Sequence, residues 1–290
     1  MNCKTLTLFF LFIFYFSSTS CNPIEVKRNN DKEFNNDKFG NNIRSFASKN
    51  FLAWSNDLAT QGCAINDGIL YQFRHSGIVD CSRITDKTIE YISTVVLESA
   101  GNNIHCNSVQ FDSSGELVYV SSWSNARSCY VENLTISQST LVQTIKVGAI
   151  SDVPPNMPFN LQIGDDGFLW LVGCDKDVLR FIKFKRPDLS LKNAELTESD
   201  IIDKWERANY SYELEVYQGM KVYGGYLYLV YGGGGPLTRR GVWVYNTHSH
   251  QLVKVFDLSD VTNVEFEDIE FYNSKGYLFI LDDCILQFDI

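Results

Sequence analysis

The sequence predicts an all-β protein, a five-bladed β-propeller, because one motif recurs five times along the chain. The motif is a turn of Asn, Asp or Gly that ends in glycine, followed by a short run of aromatic and branched residues. Such turns supply the positive φ of a tight hairpin, and such runs suit strands buried between stacked sheets. The copies are about 50 residues apart, which is the length of one four-stranded blade. Their glycines are Gly68, Gly115, Gly167, Gly225 and Gly276.

Each copy predicts the strands of one blade in a fixed order, from the channel outward. The apolar run before the turn is the inner strand, and the second, third and outer strands follow it. A β-sandwich with similar hairpins is the alternative, and it explains five in-phase copies less well. The inner strands are expected at 63–65, 108–111, 161–163, 220–223 and 269–272. The third strands are expected at 77–81, 128–132, 179–183, 241–245 and 284–288.

Two segments fall outside this regular order. The fifth unit lacks an outer strand of its own, so we expect the apolar-rich residues 44–54 to complete the last blade. This N-terminal strand would close the ring and remove open sheet edges that invite aggregation. Residues 197–206, between the third and fourth units, have helical character behind a capping threonine and predict a helical excursion.

The start of the chain has the pattern of an export signal. Lys4 is basic, residues 6–16 are apolar and residues 17–20 are small. Cys21 follows, as the lipidated cysteine does in a bacterial lipoprotein, although Ser18 stands where leucine is usual. The signal therefore predicts lipidation at Cys21 and a lipoprotein of the outer membrane or cell surface, with a secreted or periplasmic protein as the alternative.

The expected domain organisation follows from this start. Residues 1–21 form the lipoprotein-type signal peptide. Residues 22–43 are rich in Asn and charge, cannot bury enough apolar surface to fold alone, and form a flexible tether. Residues 44–290 form the five-bladed propeller, which we expect to be a monomer.

Composition excludes some partners and leaves the state of the cysteines open. The formal net charge of −10 over 290 residues argues against nucleic acid and against any membrane contact other than a lipid anchor. Six cysteines follow the signal, and they could form disulfides or act as small buried core residues. They are Cys63, Cys81, Cys106, Cys129, Cys174 and Cys284.

Polar residues stand at the start of every predicted inner strand. Because the inner strands of a propeller line its channel, these side chains are expected to converge at one mouth. His105 and Glu267 would form a proton-active pair or ligate a cation there, and an oxygen-rich site of this kind suits Ca²⁺. The alternative is that these residues only satisfy backbone groups. The candidate ligand-binding residues are Gln61, His105, Asn107, Asn160, Gln218, Glu267 and Asp268.

Catalytic patterns are sparse. The sequence has no Gly-x-Ser-x-Gly elbow and no His-Glu-x-x-His motif. A glycosidase needs two opposed carboxylates, whereas the acidic residues of the mouth all come from the fifth unit.

The starts of the units resemble those of exported bacterial propellers, often lipoproteins of the Bacteroidetes type. Units in that group open with Gln-Gly, His-x-Asn and Glu-Pro-Glu-Asp, and here Gln61-Gly62, His105-Cys106-Asn107 and Gln218-Gly219 match. The fifth unit matches with Phe266 in place of the proline. Helveticin-like propellers are more distantly similar. The plant-type glutaminyl cyclotransferases, which are five-bladed, share the Gln-Gly start, but their Glu-Gly-Trp element is missing here.

Together these features predict a non-catalytic, exported, surface-anchored propeller that binds a glycan, peptide or protein at the mouth of its channel. The alternative function is an enzyme, a lyase, hydrolase or glutaminyl cyclotransferase, that uses His105 and Glu267.

Overall fold

A computed structural model describes most of the region in which the blades are expected. The described residues are 51–53, 60–85, 88–102, 104–122, 127–175, 177–211, 215–233, 238–259, 265–280 and 284–289. The predicted signal peptide with Cys21, the predicted tether and residues 44–50 lie outside them. Among the described residues, no helix has the length and apolar character needed to cross a membrane.

The described residues form five sheets of mostly antiparallel strands, as the five-fold motif predicts. Blade 1 contains β2 (Thr60–Asn66), β3 (Ile69–Arg74), β4 (Ile78–Ile84) and β5 (Ile89–Val96). Blade 2 contains β6 (Cys106–Phe111), β7 (Leu117–Ser122), β8 (Ser128–Leu134), β9 (Ser139–Val147) and β13 (Asn193–Leu196). Blade 3 contains β10 (Phe159–Ile163), β11 (Leu169–Asp175), β12 (Val178–Phe184) and β14 (Ile201–Arg207). Blade 4 contains β15 (Val216–Tyr223), β16 (Tyr226–Gly233), β17 (Gly241–Asn246) and β18 (Leu252–Asp257). Blade 5 contains β19 (Phe266–Tyr272), β20 (Lys275–Ile280), β21 (Cys284–Asp289) and β1 (Phe51–Ala53). Two short 3₁₀ helices span Glu98–Asn102 and Glu198–Asp200.

The sheets form a closed ring around the five inner strands. Each inner strand packs against the next, in the order β2, β6, β10, β15, β19 and back to β2. Five clusters of buried apolar side chains alternate with the sheets, one for each pair of neighbouring blades. The predicted five-bladed propeller is therefore confirmed.

The last blade is completed by the start of the described chain. Strand β1 pairs antiparallel with β21, with Phe51 opposite Leu286 and Ala53 opposite Cys284. Both ends of the propeller therefore share one sheet, so β21 has a partner on each side. The predicted closure by an N-terminal strand is confirmed for the three residues of β1.

The helical excursion predicted at residues 197–206 is wrong. Thr197 caps a 3₁₀ turn of three residues, and the chain then forms β14, the outer strand of blade 3. Exposure alternates along β14, with odd-numbered residues half-buried and even-numbered residues exposed, which is the period of a strand. Before this turn, β13 adds to blade 2 parallel to β9 and links the two blades.

The structure shows whether disulfides form at five of the six cysteines that follow the predicted signal peptide. Cys63, Cys81, Cys106, Cys129 and Cys174 are buried and free of disulfides. They lie among the apolar side chains between blades and act there as small core residues.

Candidate functional site

The candidate residues lie on the face of the propeller where the inner strands begin, which we call the start face. Four of the five inner strands have a β-bulge near their start. The fifth, β10, pairs with its neighbour without a shift in register. The register skips Gln61 in β2, Asn107 in β6, Gln218 and Gly219 in β15, and Glu267 in β19. A bulge releases its extra residue from the ladder and redirects its side chain, and bulges are frequent beside active sites. Four of the seven candidate residues are thus the bulge residues of their strands.

The glycine after each bulge glutamine has a packing role. A Cβ on Gly62 would lie 2.5 Å from the carbonyl oxygen of Cys106 in the next inner strand. A Cβ on Gly219 would lie 2.4 Å from a carboxylate oxygen of Asp268 and 2.5 Å from the carbonyl oxygen of Glu267. The Gln-Gly motif therefore combines a bulge with a close approach of two blades that only glycine permits.

Asp268 links blades 5 and 1. Its carboxylate is fully buried and accepts hydrogen bonds from the backbone N–H of Cys63 (3.0 Å) and of Ile269 (2.9 Å). Burial raises the pKa of the Asp268 carboxyl well above its ordinary value, although both N–H donors act in the opposite direction. The contacts of Asp268 are those of a structural residue that satisfies the open edge of a neighbouring strand.

Glu270, a second acidic residue of β19, lies two residues after Asp268 along the same strand. Glu270 accepts from the N–H of Phe271 (2.7 Å) and lies 2.5 Å from the ammonium group of Lys221 in β15. Both side chains are buried, so the ion pair joins blades 4 and 5 inside the ring. The sequence interpretation did not single out either residue.

Amide side chains join the inner strands of blades 3, 4 and 5. The Nδ2 of Asn160 donates to the backbone oxygen of Gln218 at 2.5 Å. The Nε2 of Gln218 donates in turn to the carboxylate of Glu265, just before β19. Three of the predicted mouth segments are therefore brought together in one hydrogen-bonded series.

Asn107 differs from these residues. Its side chain is 1% exposed, and neither its Oδ1 nor its Nδ2 has a hydrogen-bond partner within the described part of the chain. Its strand neighbour Ser108 reaches across the channel and donates to the backbone oxygen of Met220 at 3.3 Å. A buried amide with neither atom satisfied is costly, so Asn107 is the candidate residue whose hydrogen-bonding groups are left open.

His105 pairs with a residue that the sequence interpretation did not select. Its Nδ1 atom contacts the Nδ1 atom of His75, with the ring centroids 4.3 Å apart. Burial lowers the pKa of His105 to about 4, and the neighbouring His75 adds to this effect. The structure therefore gives His105 a ring contact with His75, and the predicted pairing of His105 with Glu267 stays a prediction. His75 follows Arg74, which pairs with Thr60 at the start of β2, so the strand order alone places it on the start face.

Gln61 and Glu267 are the remaining candidate residues, and they differ in exposure. Gln61 is partly exposed, whereas Glu267 is 1% exposed. No group of three or more His, Cys, Asp or Glu side chains converges within the described residues, so the structure adds no support for the predicted Ca²⁺.

A pocket of about 460 Å³ lies apart from these residues, in the loop after β9. Its polar wall is Arg127, whose guanidinium donates to the backbone oxygens of Val147, Gly148, Val153 and Pro154 at 2.8–3.1 Å. These four carbonyls occupy the guanidinium, so Arg127 holds the loop that lines the pocket.

Comparisons with known proteins agree with the fold. No protein-family model matches the sequence, and no curated protein matches it. The glutaminyl cyclase of Myxococcus xanthus, a solved structure, superposes with a TM-score of 0.51 at 11% identity, over 83% of this chain and 95% of that one. Lower TM-scores are found for the β-propeller domain of Cps50 (Swd1) from Myceliophthora thermophila (0.37, 10% identity, 78% and 67% covered) and for the computationally designed Ika8 protein (0.36, 13% identity, 79% and 57% covered). At these identities the likeness to the cyclase shows the fold alone.

Proposed function

We propose that this propeller is a non-catalytic binding protein that holds a glycan or a peptide at the mouth of its channel on the start face. The observation that carries this proposal is the buried amide of Asn107, which has no partner in the described structure. Glycans and peptides both offer donors and acceptors together, which is what a carboxamide needs. Gln61, Gln218 and Glu267 supply further polar groups at the other bulges.

Alanine at position 107 provides the test. We expect a glycan and peptide array to identify a ligand of the full chain, and Asn107→Ala to weaken its binding by roughly tenfold or more, the effect of about 1.5 kcal/mol from one lost buried hydrogen-bonding group. Gln72→Ala is the matched control, because Gln72 is also a buried amide with an unpartnered oxygen but lies within β3. Equal affinity of the Asn107→Ala variant and the wild type would contradict the assignment.

A second candidate function, suggested by the name of the Myxococcus glutaminyl cyclase that shares the fold, is the cyclisation of N-terminal glutamine. In that reaction the terminal amine attacks the side-chain carbonyl carbon, a new C–N bond forms, and the old C–N bond breaks to release ammonia. Glu267, buried at the bulge of β19, is the carboxylate that would move the proton from the attacking amine to the leaving ammonia.

Ammonia release separates the two candidates. If the chain is a cyclase, peptides with N-terminal glutamine lose ammonia on incubation, and Glu267→Gln, which keeps the shape, abolishes turnover. Binding of such peptides without ammonia release supports the non-catalytic proposal.

We further propose that the protein is exported and anchored by lipid at Cys21. Mass spectrometry of the protein from a membrane fraction should find an acylated N-terminal cysteine. A Cys21→Ala variant that stays in the membrane fraction would contradict this anchor.

A further inference from the structure

The pocket in the loop after β9 combines an apolar lining with a cationic side chain, Arg127. Its volume of about 460 Å³ lies within the range of pockets that hold small organic molecules. Ile150 and Val153 are at most 5% exposed and belong to the apolar cluster between blades 2 and 3, so this part of the wall is firmly packed. The apolar lining residues are Val147, Ala149, Ile150, Val153 and Pro155.

The guanidinium of Arg127 is held in place and keeps one open donor. A guanidinium has five N–H groups, and four of them donate to the backbone carbonyls of the loop. Nε makes one of these bonds, Nη2 makes two and Nη1 makes one, so one N–H of Nη1 has no acceptor within the described part of the chain. Because the four bonds already fix the group, little side-chain entropy is lost when that N–H binds an acceptor.

The charge of Arg127 has no carboxylate partner among the described residues. Two acids near the lining are engaged elsewhere: Asp152 pairs with Lys204 at 2.5 Å, and Glu198 accepts from the N–H of Ser151 at 2.6 Å. Burial lowers the pKa of Arg127, and no described anion acts in the opposite direction. The pocket therefore contains a partly buried cation that only carbonyl dipoles solvate.

A third acid lies close to the lining but faces a cation of its own. The carboxylate of Glu195 lies beside Gly148, and its side chain is exposed. In the parallel pairing of β13 with β9, Glu195 stands opposite Lys146, so opposite charges are neighbours there. Glu195 therefore leaves the charge of Arg127 uncompensated.

We propose that this pocket binds a small organic carboxylate with an apolar body, such as a short aliphatic or aromatic monocarboxylic acid. The open N–H of Arg127 donates to the carboxylate, and a bond between two charged groups is stronger than one to a neutral acceptor. The apolar body covers the apolar lining and removes it from water. The proposal does not depend on the proposed ligand at Asn107.

Pairs of acid and amide with the same shape test the role of the charge. Benzoate and hexanoate are the probes, and benzamide and hexanamide are their neutral counterparts. Each compound is titrated into the full-length protein at pH 7, and binding is measured by ligand-observed NMR. We expect each acid to bind roughly tenfold more tightly than its amide, because a hydrogen bond between charged groups contributes more than one to a neutral group. Equal affinity for acid and amide, or binding of neither, would overturn the proposal.

Two variants locate the bound acid. Arg127→Gln removes the charge and keeps an amide that can bond to the loop carbonyls, so we expect it to bind benzoate and benzamide equally. Ala149→Trp adds a bulky side chain to the lining at an exposed position, so we expect it to bind neither. Ala208→Trp is the matched control, because Ala208 is also exposed and does not line the pocket, and it should bind as the wild type does.

Circular dichroism checks that each variant is folded. If Arg127→Gln does not fold, the preference of the wild type for the acid and the result for Ala149→Trp decide the outcome. Undiminished binding of benzoate by folded Ala149→Trp, or an unchanged preference for the acid in folded Arg127→Gln, would overturn the proposal.

Discussion

At the scale of the residue, glycine and the bulge residue before it decide how closely the inner strands approach. Gly62 lies against the carbonyl of Cys106, and Gly219 lies against Glu267 and Asp268. The bulges release Gln61 and Gln218 from the ladder where their strands begin. The Gln-Gly motif therefore combines an irregular strand start with a close approach of two blades.

Alanine at either glycine should destabilise the protein. A Cβ would meet backbone oxygen at 2.5 Å in both cases, and overpacking of this kind costs about 1–3 kcal/mol. Urea unfolding of Gly62→Ala and Gly219→Ala measures the loss. Gly101→Ala is the control, because a Cβ there meets no atom within 4 Å. Loss of stability in the control and not in the two test variants would contradict this account of the motif.

His105 should make stability depend on pH in the acidic range. Its pKa is lowered from 6.5 to about 4 in the folded protein, so between these values the unfolded chain binds a proton that the native state does not. Stability should therefore fall as the pH drops from 6.5 to 4. His75 is the titratable neighbour of the ring, and the nearby charges of Arg74 and Asp80 are paired with each other.

The comparison of wild type with His105→Asn isolates this effect. We expect the variant to lose less unfolding free energy than the wild type between pH 7 and pH 4.5. Parallel curves for the two proteins would show that His105 does not titrate in this way.

The sequence alone predicts the positions of the candidate residues better than it predicts their contacts. The repeat phase correctly predicted that the candidate residues stand near the starts of the inner strands, because a position in the repeat fixes a height along the channel. It did not predict their partners, since contacts such as His75 with His105 depend on how neighbouring blades pack. Asp268 was selected for its polarity, yet its contacts satisfy the strand edge of blade 1.

At the scale of the element, the inner strands have one open edge, and side chains from neighbouring blades satisfy it. Asp268 accepts from the N–H of Cys63, Ser121 accepts from the N–H of Leu161 at 3.0 Å, and Gln162 donates to the carbonyl of Val109 at 2.9 Å. These bonds explain why inner strands contain polar residues although they are buried. The helix predicted at 197–206 was wrong because the local signals were read as one element. Thr197 caps a short 3₁₀ turn, and the residues after it have the alternating exposure of a strand.

The buried ion pair between β15 and β19 should be costly to break from one side. Lys221→Met would leave the carboxylate of Glu270 buried without its cation, and such losses are about 3–5 kcal/mol. The double variant Lys221→Met with Glu270→Gln should recover part of that loss, because no buried charge then remains. A double-mutant cycle by urea unfolding measures both values. A loss in the double variant equal to the sum of the two single losses would show that the pair is not coupled.

At the scale of the whole molecule, ring closure makes each blade depend on both of its neighbours. Five apolar clusters alternate with five sheets, and the cluster between blades 5 and 1 completes the circle. In an open repeat array the terminal units unfold independently, because each has only one neighbour. A closed ring has no terminal unit, so its blades are expected to unfold together.

The buried thiols report on this cooperativity. Cys63 and Cys81 lie in blade 1, Cys106 and Cys129 in blade 2, and Cys174 in blade 3. Burial raises the pKa of Cys81 and of Cys174 to about 11, so the native thiols should react slowly both because they are inaccessible and because they are protonated. If the ring opens as one unit, all five thiols become reactive over the same range of urea concentration. Pulsed alkylation followed by peptide mapping measures a midpoint for each cysteine, and an earlier midpoint for blade 1 than for blade 3 would show that the closure at β1 opens first.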